Sequence, residues 1–291
     1  MASAYAKSPL NYVGNKFRQL PQLLKIFPDK IDNFIDLFCG GCDVAQNMIR
    51  RANHVYANDI NKMVIDILIE FQNKSIEEIL TFVDARIKQF NLTRTNKEGY
   101  LEYRELYNNG TYATPLDLFT LARFSFNNNM RFNSKGEFNQ AFGANRSDFN
   151  STQRANTVKL HTNLQNIILS NKSFVNFDLM SFGTNDFIYI DPPYLISDAY
   201  YNSGAREVAQ RWEQADDLHL FEYLDAANTH GIRWAMSNFT HNKGMINERL
   251  IDWIEGNHWN VHDINSNYHN CIWNKINIEN NPTIEIVITN Y

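Results

Sequence analysis

Short β-branched and aromatic runs alternate along this chain with segments of helical period, as an α/β protein requires. Phe34-Ile35-Asp36-Leu37, His54-Val55-Tyr56-Ala57, Phe187-Ile188-Tyr189-Ile190, Trp234-Ala235-Met236 and Ile284 to Ile288 read as strands. Ile76 to Phe90, Leu116 to Phe124 and Ala215 to His230 carry apolar residues at helical spacing. Val44 to Arg50 reads as a helix start with Asp43 as its N-cap. The polar stretches Asn91 to Asn96 and Asn145 to Asn156 are expected loops, and the sequence has no internal repeat.

Two strand ends carry the chemistry. Phe187 to Ile190 breaks into Asp191-Pro192-Pro193-Tyr194, where two prolines stop both sheet and helix and leave their carbonyls free to accept hydrogen bonds. Asp191 and the Pro192 carbonyl together can accept both N–H groups of an exocyclic amine, while Tyr194 stacks on the ring that bears it. On these residues alone, an ordinary turn at a strand end is nearly as good a reading. The second end is Asp36-Leu37-Phe38-Cys39-Gly40-Gly41, a strand, glycine turn and helix start of the kind that holds a nucleotide-type cofactor. It lacks the spacing of the dinucleotide fingerprint. Asp59 ends another short strand about 20 residues beyond the glycines, where a ribose-binding carboxylate belongs.

The net charge of −5 runs against a nucleic-acid partner, but its distribution does not. From Leu121 to Leu160 stand Arg123, Arg131, Lys135, Arg146, Arg154 and Lys159 against Glu137 and Asp148, a net +4. Asn127, Asn128, Asn129, Asn133 and Asn139 share this window with Phe124, Phe126, Phe132, Phe138 and Phe142, and such residues read base edges, stack or wedge. A Gly-Asn surface hairpin with a solvated cationic face is the plainer alternative.

Cys39 and Cys42 superficially form a C-x-x-C pair, but Cys271 and the His258/His262 pair lie far outside zinc-finger spacing. The cysteines read as small packing residues, and no metal is expected. Three unpaired cysteines, no long apolar stretch in Met1 to Ser8, and no run near the ~20 residues of a membrane span point to a soluble cytoplasmic protein.

Tyr12-Val13-Gly14-Asn15-Lys16, Asp36 to Gly41, Ala57-Asn58-Asp59-Ile60, the segment around Arg131, and Asp191 to Tyr194 occur in the order found in one family. Over nearly its whole length the chain resembles the DNA adenine methyltransferase (Dam) family, most closely its compact phage-type members. The resemblance implies an α/β, Rossmann-like class I methyltransferase sheet, mostly parallel with one antiparallel strand, and an inserted helical and β-hairpin target-recognition domain. The expected boundaries are residues 1–67 and 156–291 for the catalytic domain and 68–155 for the insert.

The resemblance also assigns roles. S-adenosyl-L-methionine would be held by Tyr12, Lys16, Asp36, Phe38, Gly40, Asp59, Ile60 and Asp191, with Phe177 packing on its adenine. Asp191, Pro192, Pro193 and Tyr194 would form the catalytic loop. In the hairpin Arg131 would read a guanine, Asn127 a base or phosphate, and Phe126 would lie near a flipped adenine; Asn133 belongs to the same matching run. Asn129 stands where relatives carry an apolar intercalating residue, so Met130 is the substitute wedge. Cys42 replaces a residue that is usually small, often glycine.

The implied activity is methylation of adenine N6 in double-stranded DNA, with GATC the favoured site. A monomer or weak dimer on DNA is expected, with room for a cognate restriction endonuclease as a partner. The competing readings are an RNA or protein amine methyltransferase and a catalytically inactive DNA-binding protein on the same scaffold.

Overall fold

The computed structural model describes residues 5–12, 14–196, 212–264 and 283–291; Val13 and Cys271 lie outside the described residues. Among the described residues eight strands form one sheet: β1 (Ile31–Asp36), β2 (Ala52–Asn58), β3 (Ile167–Ser170), β4 (Phe187–Ile190), β5 (Arg233–Asn242), β6 (Met245–Ile246), β7 (Asn260–Asp263) and β8 (Ile284–Thr289). Their order is β3-β2-β1-β4-β5-β8-β7, with β6 folded back on β5. The first five are mutually parallel, and β8 runs antiparallel between β5 and β7. The expected sheet, mostly parallel with one reversed strand near the C-terminus, is therefore present, with the two-residue β6 as a further antiparallel piece.

Side chains alternate across the strands as a pleat demands. Phe34, Phe187, Tyr189 and Ala235 enter one core. Their neighbours Ile35, Ile188, Ile190, Trp234 and Met236 enter the other. Strands buried on both faces need helices on both. On the chain these are α1 (Leu20–Ile26), α2 (Ala45–Met48), α3 (Lys62–Asn73), α4 (Ile76–Gln89), α5 (Lys97–Asn108), α6 (Pro115–Phe124), α7 (Ser151–Leu164), α8 (Gln214–Thr229) and α9 (Glu248–Asn257). Leu220 and Leu224 of α8, with Leu250 and Ile254 of α9, cover the second core.

Between β2 and β3 the chain forms α3 to α7 and the paired loop from Ser125 to Gly143. Its aromatic contacts, including Phe71 edge-on to Phe119 at 5.0 Å and Phe90 stacked on Tyr103 at 4.5 Å, extend the first core of the sheet into this unit. Buried Asp117 accepts from Arg86 Nε and the Tyr103 hydroxyl, each at 2.7 Å, and closes a capping box with Thr114.

Three local expectations need correction. Asp43 does not cap α2; its Oδ1 accepts the Ser8 amide at 2.7 Å, because the N-terminal segment runs over the start of that helix. The stretch from Asn145 to Asn156 is not loop throughout: the Asn150 side chain accepts from the Gln153 amide and starts α7, so a polar cap residue stands where only a loop was read. Helix α5 was not read at all, although Tyr100, Tyr103 and Tyr107 lie three and four residues apart and Asn96 caps it.

Candidate active site

Parallel neighbours place their carboxyl ends at one sheet edge, and β1 lies centrally with β2 on one side and β4 on the other, where ligand crevices form. Asp36 ends β1, Asp59 follows β2 and Asp191 follows β4. All three line one cleft, together with Tyr12, Lys16, Phe38, Gly40, Ile60 and Pro193. It is a concave site that opens to solvent at its mouth.

The glycine turn is shaped for close approach. Gly40 has φ +46°, and a Cβ there would lie 2.6 Å from Tyr12 Cδ1; a Cβ on Gly41 would lie 2.7 Å from the Leu10 carbonyl oxygen. The Gly40 amide donates to Asp59 Oδ2 at 2.8 Å, and the Asn61 amide donates to Oδ1 at 2.8 Å. Burial pushes the Asp59 carboxyl up to about 6 despite these two bonds. Ile60 is 48% exposed beside it, an apolar surface at the cleft rim. Asp36 is buried, accepts from the Ala45 amide at 3.1 Å, and is raised well above the usual carboxylate range by burial and by Asp191.

Cys42 is fully buried at φ +68°, in the left-handed region where glycine is the unstrained residue. Burial raises both the Cys39 and Cys42 thiols, which keeps them protonated and poorly nucleophilic. Among the described residues no cluster of three or more His, Cys, Asp or Glu could hold a metal ion.

At the β4 end, Lys16 Nζ lies 2.7 Å from Asp191 Oδ1 and 2.8 Å from Oδ2, and also donates to the Gly14 carbonyl at 3.0 Å. The Tyr194 hydroxyl is 2.8 Å from Asp191 Oδ1 and 3.1 Å from Glu285 Oε1. Burial raises the Asp191 carboxyl, while Lys16 and Tyr194 pull the other way. Pro193 lines the cleft, whereas Pro192 is buried behind it. Tyr194 is buried too, with its ring edge-on to Phe239 at 4.6 Å and its hydroxyl turned toward Asp191 rather than a flat face toward the cleft. Glu285, on the reversed strand β8, carried no sequence signal because its only link to the tetrad is across the sheet.

Phe177 does not line the cleft. It is buried and stacked on Phe182 at 6.0 Å, because the short turn before it aims Phe174 at the cleft instead. Phe174 and Trp212 sit beside Phe38 at 5.7 and 5.9 Å and form an aromatic wall.

In the paired loop, bridges join Ser125 to Phe142 and Phe132 to Phe138. Of the five phenylalanines expected to stack or wedge, Phe124, Phe132 and Phe138 are buried, and Phe142 packs against the core. Phe126 alone among them is exposed, at 42%, with the Arg146 guanidinium 5.1 Å above its ring. Met130 also packs against the core, so it is not a free wedge. Arg131 is exposed, its Nε donating to Asn139 Oδ1 at 3.1 Å. Asn133 Oδ1 accepts the Lys135 and Glu137 amides at 2.9 and 3.0 Å, so its side chain shapes the turn.

Asn127 and Asn128 both have positive φ, 57° and 55°. Their loop is tied to the segment preceding Tyr12. Asn11 Nδ2 donates to the Asn127 carbonyl at 2.6 Å and to Asn129 Oδ1 at 2.9 Å. Fully buried Arg123 donates to the carbonyls of Pro9 and Asn128, and burial pulls its guanidinium down to about 9. Neither Asn11 nor Arg123 was marked for this by sequence, since the contacts join segments more than a hundred residues apart.

A mostly parallel sheet covered on both faces, with acids converging at its carboxyl edge, defines an α/β fold of Rossmann-like class. Residues 12–269 match the family described as D12 class N6 adenine-specific DNA methyltransferase. The chain is 38% identical to Modification methylase StsI of Streptococcus sanguinis over 289 residues, 99% of this chain and 43% of that protein. It is likewise 38% identical to Type II methyltransferase M.FokI of Planomicrobium okeanokoites over 293 residues, again 99% and 43%. Against the DNA N-6-adenine-methyltransferase of Escherichia phage P1 the identity is 26% over 199 residues, 66% of this chain and 24% of that one. The chain belongs to the D12 class N6 adenine-specific DNA methyltransferase family, and it spans less than half the length of these relatives. The two relatives at 38% are a modification methylase and a type II methyltransferase, so the resemblance is not specific to the phage type. No described helix is long and apolar enough to cross a membrane.

Proposed function

We propose that this chain methylates adenine N6 in double-stranded DNA with S-adenosyl-L-methionine as donor. The observation that carries the reading is the convergence of Asp191, Asp59 and the Gly40 turn on one cleft. The residues fit that donor: the turn leaves no room for a Cβ, Asp59 retains acceptor capacity for ribose hydroxyls, and Phe38, Phe174 and Ile60 offer apolar surface. Tyr12, Lys16 and Asp36 complete the proposed holding set. The sulfonium of bound S-adenosyl-L-methionine supplies an already activated methyl group.

The chain's own task is to improve a poor nucleophile. The N6 lone pair is delocalised into the purine, and an N–H accepted by Asp191, which lines the cleft where Pro192 does not, returns electron density to nitrogen. Fixing the amine in line adds an orientational contribution. The proton displaced from nitrogen passes to Asp191 and then to water. Burial favours that step, because it makes this carboxylate more basic than a solvated one.

Reaching N6 requires the adenine to leave the duplex, at a cost of a few kcal/mol. Phe126, Asn127 and Arg131 are the exposed groups of the loop best suited to meet the DNA, with Arg131 the guanine reader. The inserted unit from about residue 68 to 155 is the proposed recognition domain, and GATC is the favoured site, with longer sites containing GAT as the alternative. Stacking of Tyr194 on the extruded base requires its ring to turn out from Phe239.

The test is to incubate plasmid DNA with protein and S-adenosyl-L-methionine and map N6-methyladenine by sequencing, with RNA and a glutamine-bearing protein as parallel substrates. Methylation of DNA at one short motif, lost in Asp191→Ala, is expected. Methylation of RNA or protein alone, DNA binding without turnover, or a near-native rate in Asp191→Ala refutes the reading.

A further inference from the structure

Asp191 is already occupied in this structure. Lys16 contacts both of its oxygens, and the Tyr194 hydroxyl contacts Oδ1. Three of the roughly four acceptor positions of that carboxylate are thereby taken, so an incoming amine competes with Lys16 and Tyr194 for it, and donors stranded in a buried site are costly. Lys16 and Tyr194 share a second acceptor: Glu285 Oε1, 3.4 Å from Lys16 Nζ and 3.1 Å from the Tyr194 hydroxyl. Glu285 itself is only 8% exposed. The single hydroxyl proton of Tyr194 cannot serve Asp191 and Glu285 at once, so the two carboxylates compete for it.

We infer that Glu285 is a positioning residue for methyl transfer: it takes over Lys16 and the Tyr194 hydroxyl when the target amine engages Asp191. No covalent step is involved. Two donors move from one carboxylate to another, and Asp191 gains free lone pairs as the amine arrives. The arrangement also leaves two carboxylates against one lysine, a net negative site that suits a cationic methyl donor. Glu285 can act this way because β8 runs antiparallel beside β5, which sets its side chain behind the β4 end rather than in the cleft.

The inference rests on the methyltransferase reading, and single-turnover kinetics separate the two. Glu285→Gln keeps the shape but weakens the acceptor. Its methyl-transfer rate on target duplex should fall about tenfold or more, the effect of losing one charge-assisted hydrogen bond, with the dissociation constant for S-adenosyl-L-methionine within about twofold of wild type. Glu285→Asp should recover part of the rate. In Tyr194→Phe, which lacks the contested proton, the further loss on adding Glu285→Gln should shrink.

A wild-type rate in Glu285→Gln overturns the inference while leaving the function standing. Equal losses of rate and cofactor affinity, or failure of both Glu285 variants to fold, also overturn it, since Glu285 is then structural. A wild-type protein inactive on DNA removes the function itself.

Discussion

The amide of Gly40 donates to Asp59 Oδ2 at 2.8 Å, which fastens the turn after β1 to the acid after β2. One bond thus fixes the glycine turn against the carboxylate, the two groups proposed to hold the cofactor. Burial of Asp59 strengthens the tie and makes its geometry sensitive to anything that moves Gly40.

Gly40→Ala should therefore damage cofactor binding more than stability. The new Cβ meets the Tyr12 ring at 2.6 Å and adopts φ +46°, so the turn or Tyr12 must shift. We expect affinity for S-adenosyl-L-methionine, read by calorimetry, to drop at least about tenfold, because close-packed sites tolerate little displacement. Unchanged affinity would falsify the close-approach assignment.

Stability should rise as the solution is acidified from neutrality. The folded carboxyls of Asp43 and Asp59 stand at about 7 and about 6, above the ordinary 3.8, so the folded state binds these protons more tightly than the unfolded chain. Their contribution is full below about pH 4 and is lost as pH rises through 6 to 7. Thermal midpoints of the free protein between pH 8 and 5 should climb, and Asp43→Asn should flatten the climb. An Asp43→Asn profile parallel to wild type rejects the assignment to Asp43.

Cys42→Gly should be at least as stable as Cys42→Ala. Both lose the buried thiol, but only glycine relieves a left-handed backbone that costs a side-chain-bearing residue roughly 1–2 kcal/mol. Urea denaturation of the two variants decides it, and a clearly more stable alanine variant contradicts the strain.

Asn11→Ala should loosen the proposed DNA-reading loop without disturbing the cleft. It removes two donors from the Asn127–Asn129 turn. The KM for DNA should rise several-fold, about 1 kcal/mol of lost positioning, while cofactor affinity stays close to wild type. A change confined to cofactor binding would show that Asn11 serves Tyr12 alone.

The legible parts of the site were those written into contiguous residues. Strand β4 and its Asp-Pro-Pro-Tyr end, the glycine turn and Asp59 each announce themselves locally, because a buried run that breaks at proline, glycine or an acid has few other structures open to it. Helices α4, α6 and α8 were legible from their period. Helix α5 was missed because its buried face is tyrosine. The resemblance points to Phe177 and the cleft holds Phe174, since spacing alone does not say which aromatic of an irregular turn faces a cavity.

Local residue order thus dictated a covered α/β sheet, the strand ends that bear its chemistry and the kind of reaction they suit; backbone preference and burial period act over a few residues and can be read in place. Packing across the sheet decided the rest. It paired Glu285 with Tyr194 and Lys16, turned Tyr194 inward, sank Phe132 into the core, packed Met130 against it, and laid Asn11 against Asn127 and Asn129. Such contacts depend on which distant segments become neighbours, and that is fixed only when strand order and register close the whole core at once.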